Sequence, residues 1–131
     1  MILGEKDYQQ FMVVREMSTA LNLAMEVIAS PIIRDSDGLA LSSRNGYLST
    51  ENLQKAKEIN KILKQAILFH NVDNIVQYAK NELLQIVNDI DYLEIRNNQN
   101  LELCTGTNPQ NCRLFFAGII EKTRLIDNIS F

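Results

Sequence analysis

Three stretches of the chain repeat apolar residues at the spacing of an amphipathic helix. The clearest begins at Ser49 or Thr50, either of which can cap a helix, and runs to about residue 69. A second covers residues 72–87, and a third covers residues 8–21 behind Asp7, whose side chain can act as an N-cap. The pattern therefore predicts three helices, and the apolar stripes of the two later ones are expected to be core.

The last third of the chain has the character of β-strands, and residues 90–96 alternate polar and apolar side chains as half-buried strands do. Strands are predicted over residues 90–96, 113–120 and 123–129. Residues 101–103 are expected to form a short strand or turn, and residues 105–111 a loop. A further β-like run covers residues 25–29, before Pro31. Helices followed by a small antiparallel sheet give an α+β fold class.

The first residues form an apolar stretch that meets the polar turn at Gly4 with no room for a strand. A βα unit needs its strand to be paired with neighbours. We therefore expect the chain to begin inside something longer.

Composition and charge narrow the class of protein. The 131 residues suffice for one domain, or for one domain with a fragment of another, and a hydrophobic content of 46% is ordinary for a globular protein. The net charge of −3 disfavours nucleic acid as a partner, because phosphate backbones favour a basic face. No apolar run approaches the roughly 20 residues of a membrane span. We expect a cytoplasmic protein without a secretory leader.

The two cysteines, Cys104 and Cys112, could close a small loop through a disulfide. Given the otherwise cytoplasmic character, we expect free thiols instead. No histidine lies near the pair, so the sequence predicts no zinc site there, and no metal ligands are predicted elsewhere.

The first polar segment that could carry chemistry is residues 4–10. A glycine turn opens a helix there, and helix N-termini favour phosphate because their N–H groups are unpaired. Lys6 would add a mobile positive charge for a phosphate oxygen, Asp7 could bond a ribose hydroxyl, and Gln10 lies one turn later. The alternative is a capped surface helix with Lys6 in solvent.

The second polar segment is residues 37–45. After a tight turn it places two hydroxyls and a guanidinium, those of Ser42, Ser43 and Arg44, in a row. Such groups can bind an anion. The alternative is an ordinary loop with a helix cap, because serine and asparagine favour helix starts.

Taken together, the two segments resemble one family, the pantothenate synthetases. Its members carry a G-E-K-D-Y-Q-Q stretch, which residues 4–10 reproduce without a change. They also carry a proline, an extended V-R pair and D-G-L-A-x-S-S-R-N, which correspond here to Pro31, to Ile33 with Arg34, and to residues 37–45. Residues 47–49, 90–96 and 123–129 match as well. The resemblance covers essentially the whole chain.

The resemblance implies roles for particular residues. Lys6, Ser42, Ser43 and Arg44 would be the catalytic residues that hold the phosphates of ATP, the last three as a mobile motif that closes over the nucleotide. The remaining implied contacts are with ribose for Gly4 and Asp7, with adenine for Ile33 and Leu41, and with pantoate for Gln10. Arg34 is a matching position to which no role is assigned.

The family fold that is implied has two parts. Residues 1–30 would be the last βα piece of a Rossmann-like nucleotidyltransferase domain, and residues 31–131 the C-terminal lid domain. The rest of the Rossmann-like domain, with its H-x-G-H motif, would be a missing N-terminal partner. The intact enzyme is expected to be a homodimer.

The implied reaction joins pantoate to β-alanine with ATP and Mg²⁺, through pantoyl adenylate, and releases AMP and pyrophosphate. The partners are thus small-molecule substrates, and no membrane is expected. The isolated chain is expected to be inactive. A different adenylyltransferase would leave residues 4–10 unexplained, whereas a non-catalytic interaction module derived from the family is the more serious alternative.

Overall fold

The computed structural model describes all residues from Met1 to Phe131. They divide into two compact units, Met1–Ile33 and Arg34–Phe131. The assignment of residues 1–30 and 31–131 to two family domains stays a prediction. None of the helices is long and apolar enough to cross a membrane.

The first unit is a short βαβ arrangement. Strand β1 (Ile2–Gly4) leads through a 3₁₀ turn (Glu5–Asp7) into helix α1 (Tyr8–Ala20), and strand β2 (Ile28–Ser30) follows. The two strands pair in parallel, with Ile2 opposite Ile28. The prediction of a helix here is confirmed. The prediction that no strand precedes the turn is wrong, because β2 supplies β1 with a partner.

The second unit places two helices in the core. Helix α2 (Thr50–Ala66) is capped by Ser49, whose side chain accepts a hydrogen bond from the N–H of Asn52 at 3.3 Å. Helix α3 (Val72–Leu83) is capped in the same way by Asn71. The core residues of the two helices with less than 1% exposure are Ala56, Leu63, Ala66, Ile75, Ala79 and Leu83. The apolar stripes are therefore core, as predicted.

Helix α3 ends before residue 87, where the sequence placed its end. After Leu83 the chain leaves the helix through a turn, with the N–H of Ile86 donating to the carbonyl of Leu83 at 3.0 Å. Val87 is still buried. The apolar pattern thus continues past the helix because the turn also packs into the core.

The C-terminal part is a three-stranded antiparallel sheet in the order β3–β4–β5. Its strands are β3 (Asp89–Asn97), β4 (Cys112–Ile120) and β5 (Thr123–Ser130), and β4 is the central and most buried one. Phe116, which is fully buried, lies in the middle of β4 opposite Leu93 of β3. The predicted helices and small antiparallel sheet are confirmed.

Cys104 and Cys112 form a disulfide, so the prediction of free thiols is wrong. Cys112 begins β4 opposite Asn97 of β3. Leu103 pairs with Arg96 at the other edge of β3, and the N–H of Cys104 donates to Ile95 at 2.9 Å. The loop over residues 105–111 therefore crosses the end of β3 and returns, which brings the two sulfurs together.

Candidate functional site

The first predicted segment begins where β1 ends. Gly4 has ordinary extended backbone angles, with φ −73° and ψ 136°, so its conformation does not require glycine. A Cβ added there would meet no atom within 4 Å. The space above Gly4 is thus open, which is where a ligand can approach the backbone closely.

Asp7 occupies the N-cap position of α1, as predicted, but its side chain makes no capping hydrogen bond. Its carboxylate is exposed, and so is the amide of Gln10 one turn later. Lys6 is half-buried and has a partner within the chain. Ile33, at the end of the first unit, is 70% exposed. The polar groups that the sequence singled out here therefore face solvent, except for Lys6.

The second predicted segment follows a loop that Asp35 organises. The Oδ1 atom of Asp35 accepts hydrogen bonds from the N–H groups of Asp37 at 2.9 Å and Leu39 at 3.0 Å. Gly38 closes this turn with φ +92°, a conformation that favours glycine. An added Cβ would lie only 3.1 Å from the side-chain amide of Asn60, which is buried.

Arg34 attaches this loop to strand β5. Its guanidinium donates to both carboxylate oxygens of Asp127, each at 2.7 Å, and to the carbonyl of Gly38 at 3.0 Å. It also donates to the carbonyl of Asn128 at 3.2 Å. With the amide oxygen of Asn60 turned toward it, Arg34 makes two further bonds at 3.1 and 3.3 Å. Sequence reasoning missed this role, because Asp127 lies 93 residues away.

Residues 41–44 leave this anchored loop toward solvent. Leu41 is 50% exposed. Ser42 caps a second 3₁₀ turn (Ser43–Tyr47) by accepting a hydrogen bond from the N–H of Arg44 at 3.2 Å. The side chains of Ser43 and Arg44 are exposed. The predicted loop and cap are therefore present, and they leave Arg44 directed away from the core.

An open groove of about 730 Å³ lies beside Arg44 in the second unit. Its other walls come from Tyr47 and from the turn between β4 and β5; the lining residues of that turn are Glu121, Lys122, Thr123 and Arg124. The sequence did not predict this groove, because β5 approaches the second 3₁₀ turn only in the folded unit.

The groove contains two cations with no partner in the chain, Arg44 and Lys122. The third, Arg124, donates to Asp91 at 2.7 Å, and this bond raises the pKa of the Arg124 guanidinium. The one acid, Glu121, accepts a hydrogen bond from the amide of Asn52. A groove with two unpaired positive charges attracts anions, even in a chain whose net charge is negative.

A surface ion pair lies at the loop that Asp35 organises. The ammonium of Lys57 donates to Asp37 at 2.6 Å. This hydrogen bond lowers the pKa of the Asp37 carboxyl and raises the pKa of Lys57.

No cluster of three or more His, Cys, Asp or Glu side chains is placed to hold a metal ion. The residues present therefore do not fit a metal held by the protein alone.

The predicted residues are divided between the units. Five of them belong to Met1–Ile33, namely Gly4, Lys6, Asp7, Gln10 and Ile33, and the other four belong to Arg34–Phe131, namely Leu41, Ser42, Ser43 and Arg44. In the second unit, the structure adds Lys122 and Arg124 beside Arg44.

Two solved structures with this architecture are named as pantothenate synthetase and as pantoate-β-alanine ligase. The crystal structure of pantothenate synthetase from Thermus thermophilus matches with a TM-score of 0.87 at 35% identity, over 98% of this chain and 48% of that chain. The pantoate-β-alanine ligase from Francisella tularensis, complexed with βγ ATP and β-alanine, matches with a TM-score of 0.68 at 29% identity, over 98% of this chain and 42% of that one.

Sequence comparison gives the same family. Pantothenate synthetase from Rhodospirillum rubrum is 40% identical over 133 residues, which cover 98% of this chain and 47% of the relative. The one from Idiomarina loihiensis is 42% identical over 132 residues, with the same two shares. The model of the family described as pantoate-β-alanine ligase matches residues 1–130. The chain therefore belongs to the pantoate-β-alanine ligase family, and it spans about half the length of the curated relatives it matches.

Proposed function

We propose that this 131-residue chain forms part of an ATP-dependent ligase that condenses pantoate with β-alanine. The pantoate carboxylate attacks the α-phosphorus of ATP, the bond to pyrophosphate breaks, and pantoyl adenylate forms. The amine of β-alanine then attacks the acyl carbon and AMP leaves. The observation that carries the proposal is the groove in which Arg44 lies unpaired, because Arg44 ends the S-S-R stretch of the family.

The second unit would bind the phosphate chain of ATP. Arg44 offers planar N–H donors suited to phosphate oxygens. The hydroxyl of Ser42 already accepts from Arg44, which leaves its own hydrogen for a phosphate oxygen. Ser43 is exposed beside it. Such a site accelerates the reaction by positioning and by stabilising charge, and no covalent intermediate with the protein is required.

The first unit would bind the remainder of ATP and pantoate. The open space above Gly4 and the uncapped carboxylate of Asp7 suit a ribose, and Lys6 adds a positive charge for phosphate. Gln10 is exposed to bond pantoate, and the exposed Ile33 would border adenine through its backbone. Leu41, which belongs to the second unit and is half-exposed, would border adenine as well. Mg²⁺ would arrive with the ATP phosphates, because the chain presents no acidic cluster of its own.

These 131 residues alone are proposed to be inactive. They span about half of the relatives they match, and the family's H-x-G-H motif does not occur among them. We propose that the transferring phosphate needs groups from the other half. The homodimer expected of the intact enzyme stays a prediction.

Titration of ATP into the chain by calorimetry tests the phosphate site. Arg44→Ala is expected to weaken ATP binding about tenfold, because it removes a charge-assisted contact. Lys64→Ala is the matched control, since Lys64 is an exposed cation of α2 outside the groove. Equal dissociation constants for Arg44→Ala and the unchanged chain would contradict the proposal.

A further inference from the structure

We propose that Arg34 and Asp127 are a positioning pair for the ATP site. Neither side chain is assigned a contact with substrate, and their link to ATP rests on the proposed function. The pair fixes the base from which residues 41–44 extend into solvent.

The pair is built as a rigid joint between three elements. The guanidinium of Arg34 makes two parallel hydrogen bonds to Asp127 on β5, both 2.7 Å long. It also contacts the carbonyl of Gly38 in the loop and the amide of Asn60 in α2. Bidentate pairing of this kind fixes orientation as well as distance. The loop, the helix and the strand are therefore held by one side chain.

Burial indicates that Asp127 acts indirectly. Its side chain is only 4% exposed, and that of Arg34 is 21% exposed. Asp127 also accepts a hydrogen bond from the N–H of Asn128 at 2.7 Å. With its oxygens occupied inside the protein, Asp127 has no surface to offer to a nucleotide.

The joint continues into the segment that carries Arg44. Arg34 pairs with Ala40 in an isolated antiparallel bridge. The carbonyl of Ala40 in turn accepts a hydrogen bond from the side chain of Asn45 at 3.3 Å. Residues 41–44 thus run between two fixed residues, Ala40 and Asn45. Loosening Arg34 releases Ala40, the first of the two.

Hydrogen–deuterium exchange on the 131-residue chain tests the joint without reference to any ligand. In Asp127→Asn, the amides of Gly38 and Leu39 are expected to exchange about tenfold faster or more, while those of α3 keep their rates. Arg34→Lys keeps the charge but loses the paired geometry, so an intermediate rate is expected. Arg34→Lys also serves where Asp127→Asn does not fold.

Glu94→Gln is the matched control for the same carboxylate-to-amide change. Glu94 pairs with Arg96 at 2.6 Å on strand β3, outside the loop. It should leave the exchange of Gly38 and Leu39 unchanged. Unchanged exchange at these two amides in a folded Asp127→Asn would overturn the inference.

ATP titration of the same variants tests the positioning role. We expect Asp127→Asn to weaken ATP binding about tenfold at a temperature where its α3 amides remain protected. The separate variant Arg34→Lys should weaken ATP binding by less, because it keeps the positive charge. Faster loop exchange with an unchanged dissociation constant would overturn the positioning role. Absence of ATP binding by the unchanged chain would overturn the proposed function and the link to ATP, while the exchange rates would still decide whether the joint holds the loop.

Discussion

Three glycines of the second unit allow the cost of the turn at Gly38 to be divided into its physical parts. Gly38 combines φ +92° with an amide 3.1 Å from the position of an added Cβ. Gly106 has φ +85° but open space around it, and Gly46 has neither a positive φ nor a neighbour within 4 Å. Alanine at Gly38 therefore measures backbone strain together with the contact, and alanine at Gly106 measures backbone strain alone. Alanine at Gly46 measures neither and serves as the reference.

The expected magnitudes follow from these differences. A positive φ costs a residue with a Cβ about 1–2 kcal/mol, so Gly106→Ala should lower the free energy of unfolding by that amount. Gly38→Ala should lose about 2–3 kcal/mol, because Asn60 is 2% exposed and cannot move aside freely. Gly46→Ala should be neutral or stabilising by about 0.5 kcal/mol, since alanine restricts the unfolded chain.

Urea unfolding followed by far-ultraviolet circular dichroism measures all three variants. In a unit of roughly 100 residues, such as Arg34–Phe131, a loss of 1 kcal/mol in the free energy of unfolding lowers Tm by about 4–8 °C. Thermal scans therefore give an independent check. If Gly38→Ala proved as stable as Gly46→Ala, the account of the loop geometry would be refuted. Equal losses for Gly38→Ala and Gly106→Ala would mean that the contact with Asn60 costs nothing.

Two further predictions concern pH and the disulfide. The Asp37 carboxyl, whose pKa is lowered by Lys57, contributes stability that is present above its unfolded pKa near 3.8 and is lost as pH falls through the folded value. The difference in urea midpoint between the unchanged chain and Asp37→Asn should thus be larger at pH 7 than at pH 3, and a constant difference would contradict it. Reducing the disulfide, whose cysteines have a sequence separation of 8, should lower the free energy of unfolding by about 2.5 kcal/mol by the loop-entropy relation. The Cys104→Ser/Cys112→Ser variant should show the same loss and no response to reductant, and equal stability of the oxidised and reduced chains would contradict this prediction.

Much of the second unit could be predicted from the sequence because its determinants are local. The apolar spacing of α2 and α3 and the alternation in β3 depend on neighbouring residues alone. Ser49 was predicted as a possible cap because the helical spacing starts just after it, and its hydroxyl does accept the predicted kind of bond. The end of α3 was misplaced because a buried turn residue and a helical one give the same apolar signal at Val87.

The features that sequence reasoning missed depend on contacts distant in the chain. Arg34 meets Asp127 only because β5 returns beside the loop, so an isolated arginine after Ile33 carries no local sign of its partner. The disulfide depends on the path of residues 105–111 around the end of β3. Lys122 adjoins Arg44 only through the β4–β5 turn. The two polar segments could be picked out from their residue types, but only the family resemblance decided between a binding site and an ordinary capped loop or helix.

The central claim is that this chain supplies part of an adenylate-forming site. The most direct test is pantoate-dependent exchange of labelled pyrophosphate into ATP, measured on the chain alone and after mixing with the N-terminal half of a family relative. The account predicts no exchange by the chain alone and exchange by the mixture, reduced by Arg44→Ala and unchanged by Lys64→Ala. Exchange by the isolated chain would contradict the division of the site, and a silent mixture of folded, associated halves would favour a non-catalytic module.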